Sequence, residues 1–140
     1  MTQTVETRTV VVERDLPHPQ QKVWRALTES ALIEDWLMSN DFQPVVGHAF
    51  TLRAPPQPNW SGVIDCRVLA VEPPERLSYT WGSMGLETVV TLTLAPSPAG
   101  TMVRMEQSGF APDREANIQG ATYGWRSFLA KLDDVVGKLD

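Results

Sequence analysis

From Phe42 onward, apolar and polar residues alternate with a period of two, which is typical of strands that bury one face. The alternation covers residues 48–53, 62–82, 86–96 and 101–110, and a turn at Pro73–Pro74 divides the second segment into two strands. The stretch from Val5 to Arg14, rich in Val and Thr, predicts one further strand ahead of them. Because short turns join the later strands, we expect consecutive strands to pair antiparallel.

The same alternation predicts which strand side chains face the buried side of the sheet. A slip of one residue would exchange the two faces of a strand, so these assignments depend on the register. The predicted inward residues are Phe50, Leu52, Ile64, Cys66, Val68, Ala70, Leu77, Tyr79, Trp81, Val90, Leu92, Leu94, Val103 and Met105.

Two regions change to helical spacing. After the first strand, Val23, Trp24 and Leu27 predict one helix, and Ser30 is the expected N-cap of a second short helix over residues 31–37. After the last strand, apolar residues recur every three or four positions and predict a long C-terminal helix. These residues are Ile118, Ala121, Trp125, Phe128, Leu132, Val135 and Leu139.

The order of elements is therefore one strand, two helices, about five strands and one long helix, about six strands in all. An antiparallel sheet with one apolar face needs a cover, and the C-terminal helix is the large apolar helix that remains to supply it. We therefore predict a single α+β domain over residues 1–140.

Composition and charge exclude several classes of partner. The chain has 140 residues and a net charge of −5, which argues against nucleic acid and against docking on an anionic membrane. No apolar run approaches the roughly 20 residues of a membrane span. One cysteine, Cys66, cannot form an intramolecular disulfide, so we expect a reducing, cytoplasmic location.

Catalytic and metal-binding patterns are weak. His18, His48 and Cys66 lack metal-ligand spacing, so we predict no metal and no cofactor. On the core face of its strand, Cys66 is expected to behave as a buried apolar residue rather than as a nucleophile. Ser83 lies in a predicted hairpin turn and not in a nucleophile elbow.

Carboxylates offer few acid–base pairs. Neighbouring residues diverge by about 100° on a helix, so Glu34 with Asp35, and residues 133–134, are expected to be solvated. Arg53, Asp65 and Glu87 would face the interior only if the predicted strand registers were off by one.

Five segments together resemble a known family: residues 23–37 (VWRALTESALIEDWL), 68–81 (VLAVEPPERLSYTW), 89–94 (VVTLTL), 106–110 (EQSGF) and 124–132 (GWRSFLAKL). They are similar to the START-like (SRPBCC) superfamily, and within it to the bacterial stand-alone form of the family of the activator of heat-shock protein 90 ATPase. The resemblance implies a helix-grip fold, in which a curved sheet wraps around the C-terminal helix. It also implies a cavity between the two. The superfamily includes lipid carriers, hormone receptors, cyclases and co-chaperones, so fold alone does not decide the function.

The C-terminal helix carries Gly120 and Gly124 beside Tyr123, Trp125 and Phe128, although each glycine weakens a helix by about 1 kcal/mol relative to alanine. Two explanations remain open: the glycines make room for a ligand, or they allow close packing of helix and sheet. The loop over residues 54–60 is either a lid or partner contact, or a solvent loop with Trp60 packed beneath it. The full set of predicted ligand-binding residues is Phe50, Leu52, Ile64, Cys66, Leu77, Tyr79, Trp81, Val90, Leu92, Val103, Met105, Gln107, Gly120, Tyr123, Gly124, Trp125 and Phe128.

The expected function is the non-covalent binding of a small apolar or amphipathic molecule in that cavity. One alternative is an interaction protein whose partner is a heat-shock protein 90 homologue, which would use the outer surface. Eukaryotic activators similar to this domain carry an additional N-terminal domain, and nothing of that kind precedes Val5, so we expect no direct activation. A second alternative is a small cyclase or hydrolase, which would need a carboxylate, Arg or His in the cavity.

Overall fold

The computed structural model describes residues 7–58, 60–83 and 85–139. Its elements follow the predicted order, with bounds β1 Arg8–Leu16, α1 Gln20–Thr28, α2 Ser30–Trp36, β2 Ser39–Asn40, β3 Ala49–Arg53, β4 Val63–Glu72, β5 Arg76–Ser83, β6 Leu86–Pro96, β7 Thr101–Phe110 and α3 Glu115–Gly137. The strands form one antiparallel sheet in the order β1-β7-β6-β5-β4-β3-β2. This confirms the α+β class. The first two residues of the predicted N-terminal strand, 5 and 6, lie outside the described residues.

One strand was not predicted. The two-residue β2 extends the sheet because Ser39 pairs with Arg53 and Asn40 pairs with Leu52. Its sequence has no apolar alternation, so no period-two signal marks it. The hydroxyl of Ser30 donates to Asn40 Oδ1 at 2.8 Å, which ties β2 to the start of α2.

The predicted N-cap of α2 was wrong by one residue. Glu29 occupies the cap position without a side-chain hydrogen bond, and Ser30 is the first helical residue. Ser30 instead uses its hydroxyl on Asn40, and this tertiary contact outweighs the local preference for a serine cap.

The predicted inward residues of the strands face the core, with one exception in β4. The register of β4 on β5 shifts between Val68 and Ala70, so that Val71 lies opposite the inward Leu77 and packs against the core. Ala70 therefore does not continue the inward row. A β-bulge of this kind adds one residue to a strand and exchanges its faces beyond that point.

The core lies between the sheet and the helices. Trp125, Leu129 and Leu132 of α3 are buried against the inward face of the sheet. Trp36 of α2 is also buried and donates its indole N–H to the carbonyl oxygen of Ala26 at 2.8 Å, which fixes α2 on α1. In the described residues, no helix has both the length and the apolar character that crossing a bilayer requires.

The C-terminal half of α3 is also tied to the start of the chain. Asp133 accepts hydrogen bonds from Arg14 at 3.2 Å and pairs with His18 Nε2 at 2.8 Å. Lys22 donates to the carbonyl oxygen of Leu139 at 3.3 Å. The prediction that Asp133 is a solvated surface residue was therefore wrong, because its carboxylate is half-buried and paired; Asp134 is exposed as expected.

Candidate functional site

A cavity of about 420 Å³ lies between the first half of α3 and strands β4 to β7. The loop that carries Trp60, and Met38 between α2 and β2, close its sides. Its lining residues are Met38, Trp60, Ile64, Trp81, Leu86, Gln107, Phe110, Ala116, Asn117, Gly120, Ala121, Gly124, Trp125 and Phe128.

Aromatic rings form much of the wall. The Trp125 ring lies at the centre, with its centroid 5.5 Å from that of Trp81 and 5.5 Å from that of Phe128. Trp36 stands behind Trp125 at 6.4 Å. Trp81 and Phe128 are only partly buried, so their rings present apolar surface to the cavity.

A single buried amide supplies a polar group to this apolar wall. Gln107 is 2% exposed, and its Oε1 accepts the indole N–H of Trp125 at 2.9 Å. Its Nε2 donates to Thr88 Oγ1 at 2.8 Å, and the Thr88 hydroxyl donates to the carbonyl oxygen of Trp81 at 3.0 Å. The chain of hydrogen bonds holds the amide in one orientation, because an indole nitrogen can only donate.

The helix glycines border the cavity and do not serve close packing. A Cβ added at Gly120 would meet no atom within 4 Å, and one added at Gly124 would touch only the Phe128 ring, at 3.9 Å. Close approach of helix and sheet would instead place atoms against those positions. The geometry favours the explanation that the glycines leave space at the cavity.

The Trp60 loop closes the cavity through two defined contacts. The Trp60 indole N–H donates to Ser83 Oγ at 2.8 Å. At the base of the loop, the Ala54 N–H donates to the carbonyl oxygen of Gly62 at 2.8 Å. Gly62 has φ +84°, and a Cβ there would lie 2.2 Å from the Ala54 oxygen, so the loop geometry requires glycine. Trp60 thus packs beneath its loop and at the same time lines the cavity.

A second, larger groove of about 870 Å³ lies mainly along the outward positions of β3 to β7. Polar and charged side chains border it, among them Thr51, Asp65, Arg67 and Glu87. Asp41 also borders the groove; the Thr51 N–H donates to its carboxylate at 2.7 Å and lowers the pKa of that carboxyl group. This groove lies outside the apolar interior in which the aromatic rings and the Gln107 amide converge.

The family model described as Activator of Hsp90 ATPase homolog 1-like protein matches residues 17–137 of the chain. The chain belongs to this family. The resemblance inferred from the five sequence segments is therefore confirmed, and the wrapped sheet around α3 is the helix-grip fold that it implied.

Several solved structures share the fold of this member of the Hsp90 ATPase activator homologue family. Protein MLL2253 from Mesorhizobium loti is 52% identical with a TM-score of 0.87, over 95% of this chain and 99% of that one. Protein BH1534 from Bacillus halodurans is 27% identical with a TM-score of 0.78, over 92% and 96% of the two chains. DynU16, from the dynemicin biosynthetic locus, is 23% identical with a TM-score of 0.78, over 93% and 47%, and shares the fold alone. No curated protein matches the chain.

In this family member, all but one of the predicted site residues divide into two groups. Those that border the cavity are Ile64, Trp81, Gln107, Gly120, Gly124, Trp125 and Phe128. Those that lie in the buried core instead are Phe50, Leu52, Cys66, Leu77, Tyr79, Val90, Leu92, Val103 and Met105. A second aromatic cluster fills the space beneath β3 and β5, where the Phe42 and Phe50 rings lie 5.1 Å apart and those of Phe50 and Tyr79 lie 5.4 Å apart.

Tyr123 belongs to neither group. Tyr123 is 80% exposed and does not line the cavity. It lies between Gly120 and Gly124 in sequence, but successive positions on a helix turn by about 100°, which directs its ring away from the sheet.

Several lining residues were missed. Leu86 could have been found, because it continues the period-two row of Thr88 and Val90 to the start of β6. Phe110 could not, because period two from Gln107 would point it outward. Gly109 has φ +107° and sits at an irregularity in the pairing of β1 with β7, which turns Phe110 into the cavity.

The ionisable side chains of the sheet lie on the faces that the predicted strand registers gave them. Arg53, Asp65 and Glu87 are exposed on the outward side. Cys66 is buried, and burial, reinforced by the charges of Asp65 and Asp41, raises the pKa of its thiol to about 12. A thiol with this pKa is not a nucleophile near neutral pH. Within the described residues, no group of three or more His, Cys, Asp or Glu side chains is arranged to hold a metal ion.

Proposed function

We propose that this chain binds a small apolar or amphipathic molecule in the cavity beneath the first half of α3. The observation that carries the proposal is that three features occur together: an unfilled volume, an apolar wall and one polar group, the Gln107 amide, held in a fixed orientation. A volume of about 420 Å³ falls in the range of roughly 300–1,000 Å³ that is usual for small-molecule sites. Burial of ligand surface at about 25 cal/mol per Å² would supply the driving force, less the cost of association.

The glycines give independent support to the proposal. A helix that only covered a packed core would gain about 1 kcal/mol from alanine at each position, and the structure has room for that Cβ. Retaining glycine at both places keeps the cavity wide where α3 borders it. A binding site would require this space, at the cost of the low helix propensity of glycine.

The test is an amide NMR titration of the labelled protein with two probes, naphthalene and decanoate. Saturable shifts of the amides around Gln107, Gly120 and Trp125 by either probe are expected. Ala121→Phe places a phenyl group in the cavity wall and should abolish the shifts. Ser127→Phe adds the same group to an exposed position of α3 and should leave them intact. If both probes, and 2-acetylnaphthalene as a more polar aromatic probe, leave these amides unmoved, the proposal fails.

A second candidate function is interaction with a heat-shock protein 90 homologue, which the family description suggests. Val45 and Val46 are 56% and 62% exposed in the turn before β3 and offer an apolar contact. The same labelled protein can be titrated with a bacterial homologue of that chaperone. Broadening confined to residues 43–48, unaffected by Ala121→Phe, would favour this function over the first.

A further inference from the structure

The walls of the cavity carry no formal charge. Among its described lining residues there is no Asp, Glu, Lys, Arg or His. Charged side chains lie outside this lining: Asp65, Arg67 and Glu87 are exposed on the outward face of the sheet, and the exposed Glu115, which precedes Ala116, is paired with Arg8. An ionised group buried without a partner is strongly disfavoured, so a carboxylate or ammonium seated against this wall would lose affinity.

The Gln107 amide is held in one orientation by its hydrogen bonds. Its oxygen is turned towards Trp125, the indole of which can only donate, and its nitrogen is turned towards Thr88. The Thr88 hydroxyl gives its own proton to the Trp81 carbonyl and therefore accepts from the amide. An NH₂ group has two protons, and Thr88 Oγ1 is the acceptor that it meets in the described part of the chain. The second N–H of the amide therefore has no acceptor among the described residues, and Gln107 borders the cavity.

The shape of the apolar wall favours a flat body. Trp81 and Phe128 flank Trp125 at interplanar angles of 53° and 78°, so the three rings form faces and edges around the space. Aromatic ligands gain from offset and edge-to-face contact with such rings beyond the burial of their area. A flexible alkyl chain would gain area alone and would lose conformational freedom.

We propose that the ligand is an uncharged aromatic molecule with an oxygen acceptor that takes the second N–H of Gln107. The inference rests on the proposed function, and it narrows the ligand from apolar or amphipathic molecules in general to this class. It assigns Gln107 as the residue that selects for the acceptor. Trp125 and Thr88 then act as positioning residues, because they fix the orientation of the amide.

The test uses three probes of one shape: 2-acetylnaphthalene, 2-isopropenylnaphthalene and 2-naphthoate. The first two differ by an oxygen in place of a CH₂ group, and the third carries a charge. Dissociation constants are measured by titration of the cavity amides at neutral pH. We expect 2-acetylnaphthalene to bind about three- to tenfold more tightly than 2-isopropenylnaphthalene, the worth of one net hydrogen bond. We expect 2-naphthoate to bind at least about tenfold more weakly than 2-acetylnaphthalene.

Gln107→Met identifies the donor, because methionine keeps an unbranched side chain but has no N–H. The preference for 2-acetylnaphthalene over 2-isopropenylnaphthalene should vanish in this variant. Asn117→Ala removes the other amide of the lining, which lies exposed on the first turn of α3, and should keep the preference. The probe series on the unaltered protein remains decisive even if Gln107→Met does not fold.

The outcomes separate this inference from the function on which it rests. If none of the three probes nor decanoate moves the cavity amides, the proposed function fails. If 2-naphthoate or decanoate binds as tightly as 2-acetylnaphthalene, or the two neutral probes bind equally, the cavity binds ligands but the inference is overturned. Loss of the preference in Asn117→Ala instead of Gln107→Met would overturn the role of Gln107.

Discussion

At the scale of single residues, Gly120 and Gly124 lower the stability of α3 and leave space at the proposed binding site. Each costs the helix about 1 kcal/mol relative to alanine through backbone entropy. The structure offers no compensating close contact, since Gly120 has open space where a Cβ would lie and Gly124 has only an ordinary contact with Phe128. The cost is therefore one that the fold does not require.

We expect Gly120→Ala and Gly124→Ala each to raise the free energy of unfolding by about 0.5–1 kcal/mol, because helix propensity improves without a clash. Affinity for 2-acetylnaphthalene should fall a few-fold in both, because the added methyl groups narrow the cavity. Urea unfolding and amide titration measure the two effects.

Gly137→Ala is the matched control for these variants. It adds a methyl group to the same helix, 3.6 Å from the His18 ring and far from the cavity lining, so it should leave affinity unchanged. Destabilisation by alanine at position 120 or 124 would contradict the assignment and would identify the glycines as packing devices.

At the scale of elements, periodicity predicted the type and order of nearly every strand and helix. It also placed the outward carboxylates Asp65 and Glu87 correctly, because Asp65 precedes the bulge of β4 and β6 alternates without interruption. Periodicity fails where a strand bulges. The faces of β4 exchange near Leu69, and those of β7 exchange near Gly109. No pattern in the sequence predicted either bulge. Phe110 owes its place in the cavity to the second of these bulges, and Met38 lies in the link between α2 and β2, where no periodic pattern applies, so the site was predicted less completely than the fold.

The Trp60 loop is the element whose geometry depends on one residue. Gly62→Ala should displace it, because the methyl group would meet the Ala54 carbonyl oxygen at 2.2 Å and φ is +84°. We expect a loss of about 1–3 kcal/mol in unfolding free energy. We also expect the NMR signal of the Trp60 indole N–H to shift, because its hydrogen bond to Ser83 would be lost. Binding of 2-acetylnaphthalene should be weaker as well.

Gly85→Ala distinguishes a clash from backbone strain alone. Gly85 has φ +78° but no atom within 4 Å of an added Cβ, so its variant carries the strain of the left-handed region without the collision. It should cost about 1 kcal/mol and leave the Trp60 indole signal in place. Equal effects of the two substitutions would show that the contact with Ala54 does not hold the loop.

At the scale of the whole molecule, the two halves of α3 have different surroundings. The second half buries Leu129, Leu132 and Val136 and is tied through Asp133 to the start of the chain. The first half begins with an exposed ion pair between Arg8 and Glu115, carries both glycines and borders the cavity. The helix is thus anchored at one end and spans an unfilled space at the other, which concentrates stability away from the proposed site.

This division predicts a gradient of hydrogen exchange along α3. Amides of residues 119–124 should exchange about tenfold or more faster than those of residues 129–136, because local opening costs less where few side chains are packed. Saturation with 2-acetylnaphthalene at about 100 times its dissociation constant should slow the first group by up to about 100-fold, since opening would then require release of the ligand. In Ala121→Phe the first half should already be protected, because the phenyl group occupies the cavity, and the probe should add nothing.

Uniform exchange along the helix in the unliganded protein would contradict the division. It would mean that the sheet supports the first half of α3 as firmly as the second, despite the space between them.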